Sequence, residues 1–230
     1  MDISVILDNL DYLLLGPWPE GPLGGAALTL VLALCSALAS ALIGLVLGIA
    51  LALSKGRWRL LLVGVLGFFR AIPVLMLVFW TYFLLPIVFH VDVPALATVV
   101  CALSLIGGAY LAHSVSAGIL SLPEGQWHAA RALGMRPWQV LRWVILPQAL
   151  PIMLPSFLNQ WVSLIKDTSL AYVIGVGELS FVATQVSNRV MVHPTEIFLF
   201  VALLYFVLCT SLDLAAGALA RYGGGPRQAR

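Results

Sequence analysis

The chain has 230 residues, of which 61% are hydrophobic and only 10% charged, with a mean hydropathy of +1.03. So few polar side chains cannot cover a water-soluble globule, and apolar runs longer than ordinary core elements place the chain in a bilayer. The same figures exclude a disordered chain, a collagen repeat and, with three cysteines, a disulfide-stapled scaffold, while a net charge of +2 leaves no nucleic-acid footprint.

Residues 1–23 carry Asp2, Asp8, Asp11 and Glu20 but no Lys or Arg, the opposite of the basic start of a cleaved signal peptide, and are expected to be mature sequence. Trp18, set among Pro17, Pro19 and Pro22, marks this segment as an interfacial lead-in. Five stretches then approach or reach the length needed to cross hydrocarbon: 26–54, 73–89, 94–117, 147–174 and 196–220. Ala33, Ala37, Ala41, Gly44 and Gly48 suit the first to close helix packing. Segment 60–69, ending at Arg70, either extends the second span or lies along the inner interface.

Lys55, Arg57, Arg59 and Arg70 follow the first span, Arg131, Arg136 and Arg142 the third, and Arg221, Arg227 and Arg230 the fifth. The alternate segments hold the four N-terminal acids, Asp92, Glu178 and Glu196, with Arg189 as their one base. The positive-inside rule therefore puts the N-terminus outside and the C-terminus in the cytoplasm. Cys35, Cys101 and Cys209 lie singly in apolar runs and are expected to be buried packing residues.

Segment 122–151, LPEGQWHAARALGMRPWQVLRWVILPQALP, is too polar to insert and too patterned to be a mere connection. Pro123 and Glu124 suit a first helical turn, and Gly134 can take the left-handed conformation that ends one. A second start at Pro137 is followed by Trp138, Leu141 and Ile145 at helical spacing, before Pro147 removes a backbone donor. Two short helices around a glycine corner are expected. By periodicity alone, docking on a partner and resting on the inner leaflet are equally good readings.

Inside the spans, Lys166 and Asp167 sit about 19 residues beyond Pro147, roughly 28 Å along a helix. They read equally as a structural pair at a helix break or, with Thr168 and Ser169, as part of a translocation path. Asn159 and Gln160 lie deeper and suit interhelical hydrogen bonds. Pro147, Pro151 and Pro155 recur every four residues and share one helix face. The chain contains no GxxxxGK[ST], HExxH or GxSxG pattern, so neither ATP hydrolysis nor a metal site is expected of it.

His128-Ala129-Ala130, Gly134, Val144 and Leu146-Pro147 keep the spacing of Glu-Ala-Ala, three residues, Gly, nine residues, Ile, any residue, Leu-Pro. This resembles the EAA loop in the membrane subunits of binding-protein-dependent ABC importers. FFRAIPVL (68–75), VILPQALP (144–151) and NQWVSLIKDTSLAYVIGVGEL (159–179) look like the polar amino acid permease branch. The resemblance implies an all-α polytopic protein of the bacterial inner membrane with five transmembrane helices and the type I ABC importer permease fold. It would comprise a periplasmic segment 1–23, a permease domain 24–221 with coupling loop 118–147, and a cytoplasmic tail 222–230.

The resemblance also implies that Glu124, Trp127, His128, Ala129, Ala130, Arg131, Gly134, Trp138 and Leu141 couple the chain to an ATPase. The implied partners are an identical or homologous permease, two ABC ATPases that bind the ATP and Mg, a periplasmic amino-acid-binding protein and membrane lipid. The chain itself would hold no cofactor and perform no catalysis. The substrate path would run past His113, Asn159, Gln160, Lys166, Asp167, Thr168 and Ser169. Three departures stand out: His128 replaces the Glu, Ala71-Ile72 replace Gly-Thr before Pro73, and His113 and Ser116 stand where Glu and Arg are common. A free-standing secondary transporter or channel is the alternative, but it needs its own ion-coupling site and usually an internal repeat.

Overall fold

The computed structural model describes residues 4–91, 93–191 and 194–223. Its helices are α1 (Ser4–Asp8), α2 (Leu10–Leu15), α3 (Gly25–Leu53), α4 (Gly56–Ala71), α5 (Val74–Phe89), α6 (Ala95–Leu120), α7 (Glu124–Ala132), α8 (Pro137–Ile174), α9 (Leu179–Val190) and α10 (Pro194–Gly223). Among the described residues there is no strand, only an isolated bridge between Gly25 and Glu178. Four stretches are long and apolar enough to span a membrane: α3, α6, α8 and Pro194–Ala215 of α10. The pair α4 and α5, bent by 98° at Ile72-Pro73, has the length and apolarity of a fifth crossing only when the two are taken together. Pro73 disfavours helical geometry at the residue before it, and the break follows.

The centre of the molecule is the parallel pair α3 and α6. Lipid tails are as apolar as leucine, so helices associate in a membrane by close packing rather than by hydrophobic exclusion, and small residues permit it. A Cβ added to Gly44 would lie 2.5 Å from Leu111 Cβ, and one on Gly48 2.5 Å from Val115 Cβ and 2.7 Å from the Ala112 carbonyl oxygen. The small-residue face read from the sequence is thus where the two backbones meet. α8 packs against this pair; a Cβ on Gly118 would meet Met153 Cγ at 2.6 Å.

Pro147 does not end a helix. The segment 137–174 is continuous, and the strain is absorbed by a wide turn at Leu141–Ile145, where the Leu146 amide donates to the carbonyl of Leu141 five residues back. α5 repeats the device: Trp80–Leu84 forms the same kind of turn, Leu85 donates to Trp80, and Pro86 follows. A proline lacks the N–H and crowds the carbonyl four residues earlier, so widening the preceding turn lets the helix proceed. Pro147, Pro151 and Pro155 share one exposed face of α8.

The N-terminal segment is more firmly placed than a lead-in would be. Leu13 of α2 is fully buried among Leu179, Val182, Val186, Ile197 and Val201 of α9 and α10, and Tyr12 Oη donates to Gln185 Oε1 at 2.8 Å. The cysteine expectation fails at two positions, since Cys35 and Cys101 are exposed and only Cys209 is half-buried. A span that is apolar all round gives no sequence signal for which face points outward.

Candidate coupling loop and polar groups at membrane depth

α7 begins after Pro123 and carries Glu124 in its first turn. It closes where Leu133 leaves helical geometry and Gly134 takes φ +80°. The Gly134 amide donates to Arg131 O at 2.9 Å and Met135 N to Ala130 O at 3.3 Å, so the left-handed residue satisfies carbonyls that the helix end would orphan. The second helix starts at once: Arg136 N donates to Gln139 Oε1 at 2.8 Å.

The loop divides its apolar residues between two faces. Ala130, Val140, Ile145 and Leu141, the last only 2% exposed, join Val115 and Ile119 in the core beneath it, with Trp127 packed half-buried beside them. Leu141 therefore anchors the loop to its own bundle and offers no surface to a partner. Leu133 (84% exposed), Trp138 (60%) and Trp143 (66%) face outward, with Ala129 exposed between them. Of these, Leu133 and Trp143 escaped the sequence reading, although each flanks a motif residue. A cleft of about 440 Å³ separates the loop from the ends of α3 and α6, lined by Lys55, Glu124, Trp127, His128 and Arg131 above Leu53, Ile119 and Leu120. Glu124, Trp127, His128 and Arg131 thus form one helix face, at the spacing of successive turns.

The other proposed residues are scattered along α6 and α8. Asn159 and Lys166, seven apart, share an exposed face of α8, whereas Gln160 and Asp167 are half-buried. No direct ion pair joins Lys166 and Asp167 among the described residues, because consecutive helical side chains diverge. Thr168 Oγ1 and Ser169 Oγ donate to the carbonyls of Ile165 and Lys166, both at 2.7 Å, so each hydroxyl is committed to its own turn. His113 is half-buried on α6 with Nε2 lacking a partner, and Ser116 is buried.

Two charged groups were misread from sequence. Arg70, counted with the cytoplasmic bases, lies instead with its guanidinium 5.0 Å from the Tyr110 ring, and Tyr110 Oη donates to Arg70 O at 3.4 Å. Tyr110 is ten residues from the Leu120 end of α6, roughly 15 Å, which is about half the hydrocarbon thickness. An arginine there costs at least about 2.5–3.5 kcal/mol unless it meets water or a partner.

Glu178, treated only as a topology marker, is completely buried. It caps α9, with Oε2 accepting from Ser180 N and Oε1 from Phe181 N, both at 2.9 Å, and Tyr205 Oη donating to Oε2 at 3.0 Å. Beside it the Leu179 amide donates to Thr29 Oγ1 at 3.1 Å and Gly25 N to Gly177 O at 2.9 Å, joining α3, α9 and α10. Burial pushes the carboxyl up to about 7, against the opposing pull of its amide and hydroxyl donors. Its position just before Leu-Ser-Phe was the available signal, since a carboxylate commonly precedes a first helical turn.

A five-crossing bundle with a two-helix loop hung beneath its core is the architecture of a transport permease. Residues 44–222 match the family described as binding-protein-dependent transport system inner membrane component, and the chain belongs to that family. It is 38% identical over 152 residues to the L-cystine transport system permease protein TcyB of Bacillus subtilis (strain 168), a match covering 66% of this chain and 64% of that one. It is 35% identical over 161 residues to the glutamate/aspartate import permease protein GltK of Escherichia coli O157:H7, covering 66% and 71%.

Among solved structures, a crystal structure of an amino acid ABC transporter with histidines superposes with a TM-score of 0.76 at 28% identity, over 86% of this chain and 92% of that one. The inward-facing MetNI methionine ABC transporter gives the same TM-score at 21% identity, over 86% and 94%, a likeness of fold. The type I importer permease fold implies an ATPase and a permease as partners, and the chain is a multi-pass membrane protein.

Proposed function

We propose that the chain is the transmembrane subunit of an ATP-driven importer that passes a polar amino acid from an external binding protein across the bacterial inner membrane. The observation that carries this reading is the coupling loop. Its corner is at Gly134, its inner face is anchored in the bundle, and Leu133 and Trp138 are held outward. Exposed aromatic and leucine side chains on a rigid polar loop suit a protein groove. Relatives that transport cystine, or glutamate and aspartate, support an amino acid as cargo.

In this reading two copies of the chain, or one with a homologue, enclose the path and two ATPases bind ATP and Mg. Glu124, Trp127, His128, Ala129, Arg131, Gly134 and Trp138 form the coupling surface, supported from below by Ala130 and Leu141. His128 replaces the motif's carboxylate and lines the same cleft as Lys55 and Arg131, so this surface carries less negative charge than the common pattern. The N-terminus lies outside and the loop in the cytoplasm. Lys166 and Asn159 mark the polar face of α8 along the path, with Lys166 near its outer end. The test is affinity purification of the chain from its native membrane, with the subunits identified by mass spectrometry, followed by ATP-dependent uptake in proteoliposomes. Co-purification of an ATPase and ATP-dependent amino acid uptake are expected. A chain that purifies alone and transports without ATP would be the secondary transporter instead.

A further inference from the structure

A cation in the middle of a membrane span needs an explanation, and Arg70 has none within the chain. Its guanidinium is exposed and rests over the Tyr110 ring, and among the described residues no carboxylate pairs with it. The depth follows from two independent registers. Tyr110 is ten residues short of the end of α6, and the parallel packing that sets Gly44 against Leu111 places it level with Ile43, ten residues short of the end of α3. Beside it stands His113, within electrostatic range of the guanidinium, its Nε2 buried without a partner. Tyr110 and His113 are three residues apart on one face of α6. An exposed arginine beside an exposed phenol at this depth is costly against lipid tails, and a wet path along this face removes that cost.

Guanidinium presents a rigid fork of donors matched to the two oxygens of a carboxylate, and the half-buried His113 adds no negative charge beside it. A carboxylate at position 113 would neutralise Arg70 internally; the histidine leaves it free. We propose that Arg70, with His113 beside it, is a binding site for the α-carboxylate of the transported amino acid midway through the membrane. The assignment rests on the transport reading above and gives that path a second cation, inward of Lys166.

The experiment uses the whole complex in proteoliposomes, with Cys35, Cys101 and Cys209 replaced by serine and His113→Cys as the reporter. Labelling rates are measured for a negatively and a positively charged methanethiosulfonate, with Arg70 present and with Arg70→Met added. The expected result is preference for the anionic reagent on the order of ten-fold with Arg70 present, lost in Arg70→Met, and a several-fold slowing of labelling by the transported amino acid that also requires Arg70. Arg70→Lys should restore the reagent preference and part of the slowing. Separately, His113→Glu with Arg70 intact should reduce uptake while assembly stays normal.

No labelling by either reagent would make the site dry and overturn the proposal. Preference for the anionic reagent without slowing by any of the twenty amino acids, in complex that does transport one of them, would overturn the carboxylate site and leave the transport reading standing. A wild-type complex that takes up none of the twenty would remove the amino acid reading and the site with it. Failure of Arg70→Met alone to assemble with its partner subunits would assign Arg70 to a subunit contact instead.

Discussion

Replacing Gly134 isolates the conformation of the coupling corner from its contacts. The residue holds φ +80°, and a Cβ built on it meets nothing within 4 Å, so a new side chain there clashes with no neighbour and its cost is purely backbone. An L side chain in left-handed geometry costs about 1–2 kcal/mol, more when β-branched, equivalent to a factor of roughly 5–30 in the population of the closed corner. Gly134→Val should therefore loosen the two-helix loop and lower ATPase co-purification and substrate-stimulated hydrolysis by about that factor. Gly134→Asn should lose far less, because Asn visits this region readily. Gly125 in α7 supplies a control of opposite sign: it too has open space around its Cβ, and Gly125→Ala should firm the helix by about 0.5–1 kcal/mol. The assay is titration of the purified ATPase against permease in nanodiscs, with stimulated hydrolysis as the second readout. Equal behaviour of Val, Asn and wild type at position 134 would refute the corner's role in docking.

The buried Glu178 carboxyl, raised from 4.5 to about 7, binds more protons folded than unfolded between those values, so stability falls as pH rises from 4.5 to 7 and levels off above. The full span is about 3 kcal/mol, and thermal unfolding of wild type against Glu178→Gln from pH 4.5 to 8 should show the slope only in wild type; parallel curves would remove Glu178 as its source. Gly48→Ala places a Cβ 2.7 Å from a backbone oxygen that cannot step aside and should destabilise the bundle by about 1–3 kcal/mol, whereas Gly64→Ala, mid-helix with nothing nearby, should not lower the melting temperature and should raise it slightly. Single cysteines at exposed Glu20 and Arg136, in a background without the native three, should react with an impermeant thiol reagent from outside and inside respectively; the reverse labelling would invert the topology. Lys166→Met should abolish substrate-stimulated hydrolysis while assembly and basal activity persist, and full stimulation would make Lys166 a structural residue.

Length and apolarity made the bundle legible, because each span is a local property of consecutive residues. The loop was equally readable: its corner depends on Gly134, its helix starts on Pro123 and Pro137, and all three act within one turn. What failed did so for non-local reasons. Pro147 read as a helix end, since a proline's local effect is to break; the wide turn before it is stabilised by Leu141 and Ile145 packing into the core. Arg70 was counted by its order along the chain, but α4 packs along α6 and brings the residue beside Tyr110, ten residues from the end of that helix. Glu178 looked like any external acid, and the side chain it meets in the core, Tyr205, is far away in sequence. Leu141 had the right spacing for a docking anchor, but periodicity says which residues share a face and not what that face meets.

The continuity of α8 through Pro147 makes the loop and the fourth crossing mechanically one object. Its 38 residues extend roughly 57 Å at the α-helical rise, and no break of extended chain separates the end near Trp138 from the end at Ile174, eight residues beyond Lys166. A pivot of about 5° around its midpoint displaces each end by roughly 2.5 Å in opposite directions. If the exposed tryptophans are where a partner pushes, a push of that size would reach the other end of the helix inverted in direction, and the widened turn at Leu141–Ile145 sets the angle at which the arm leaves its fulcrum.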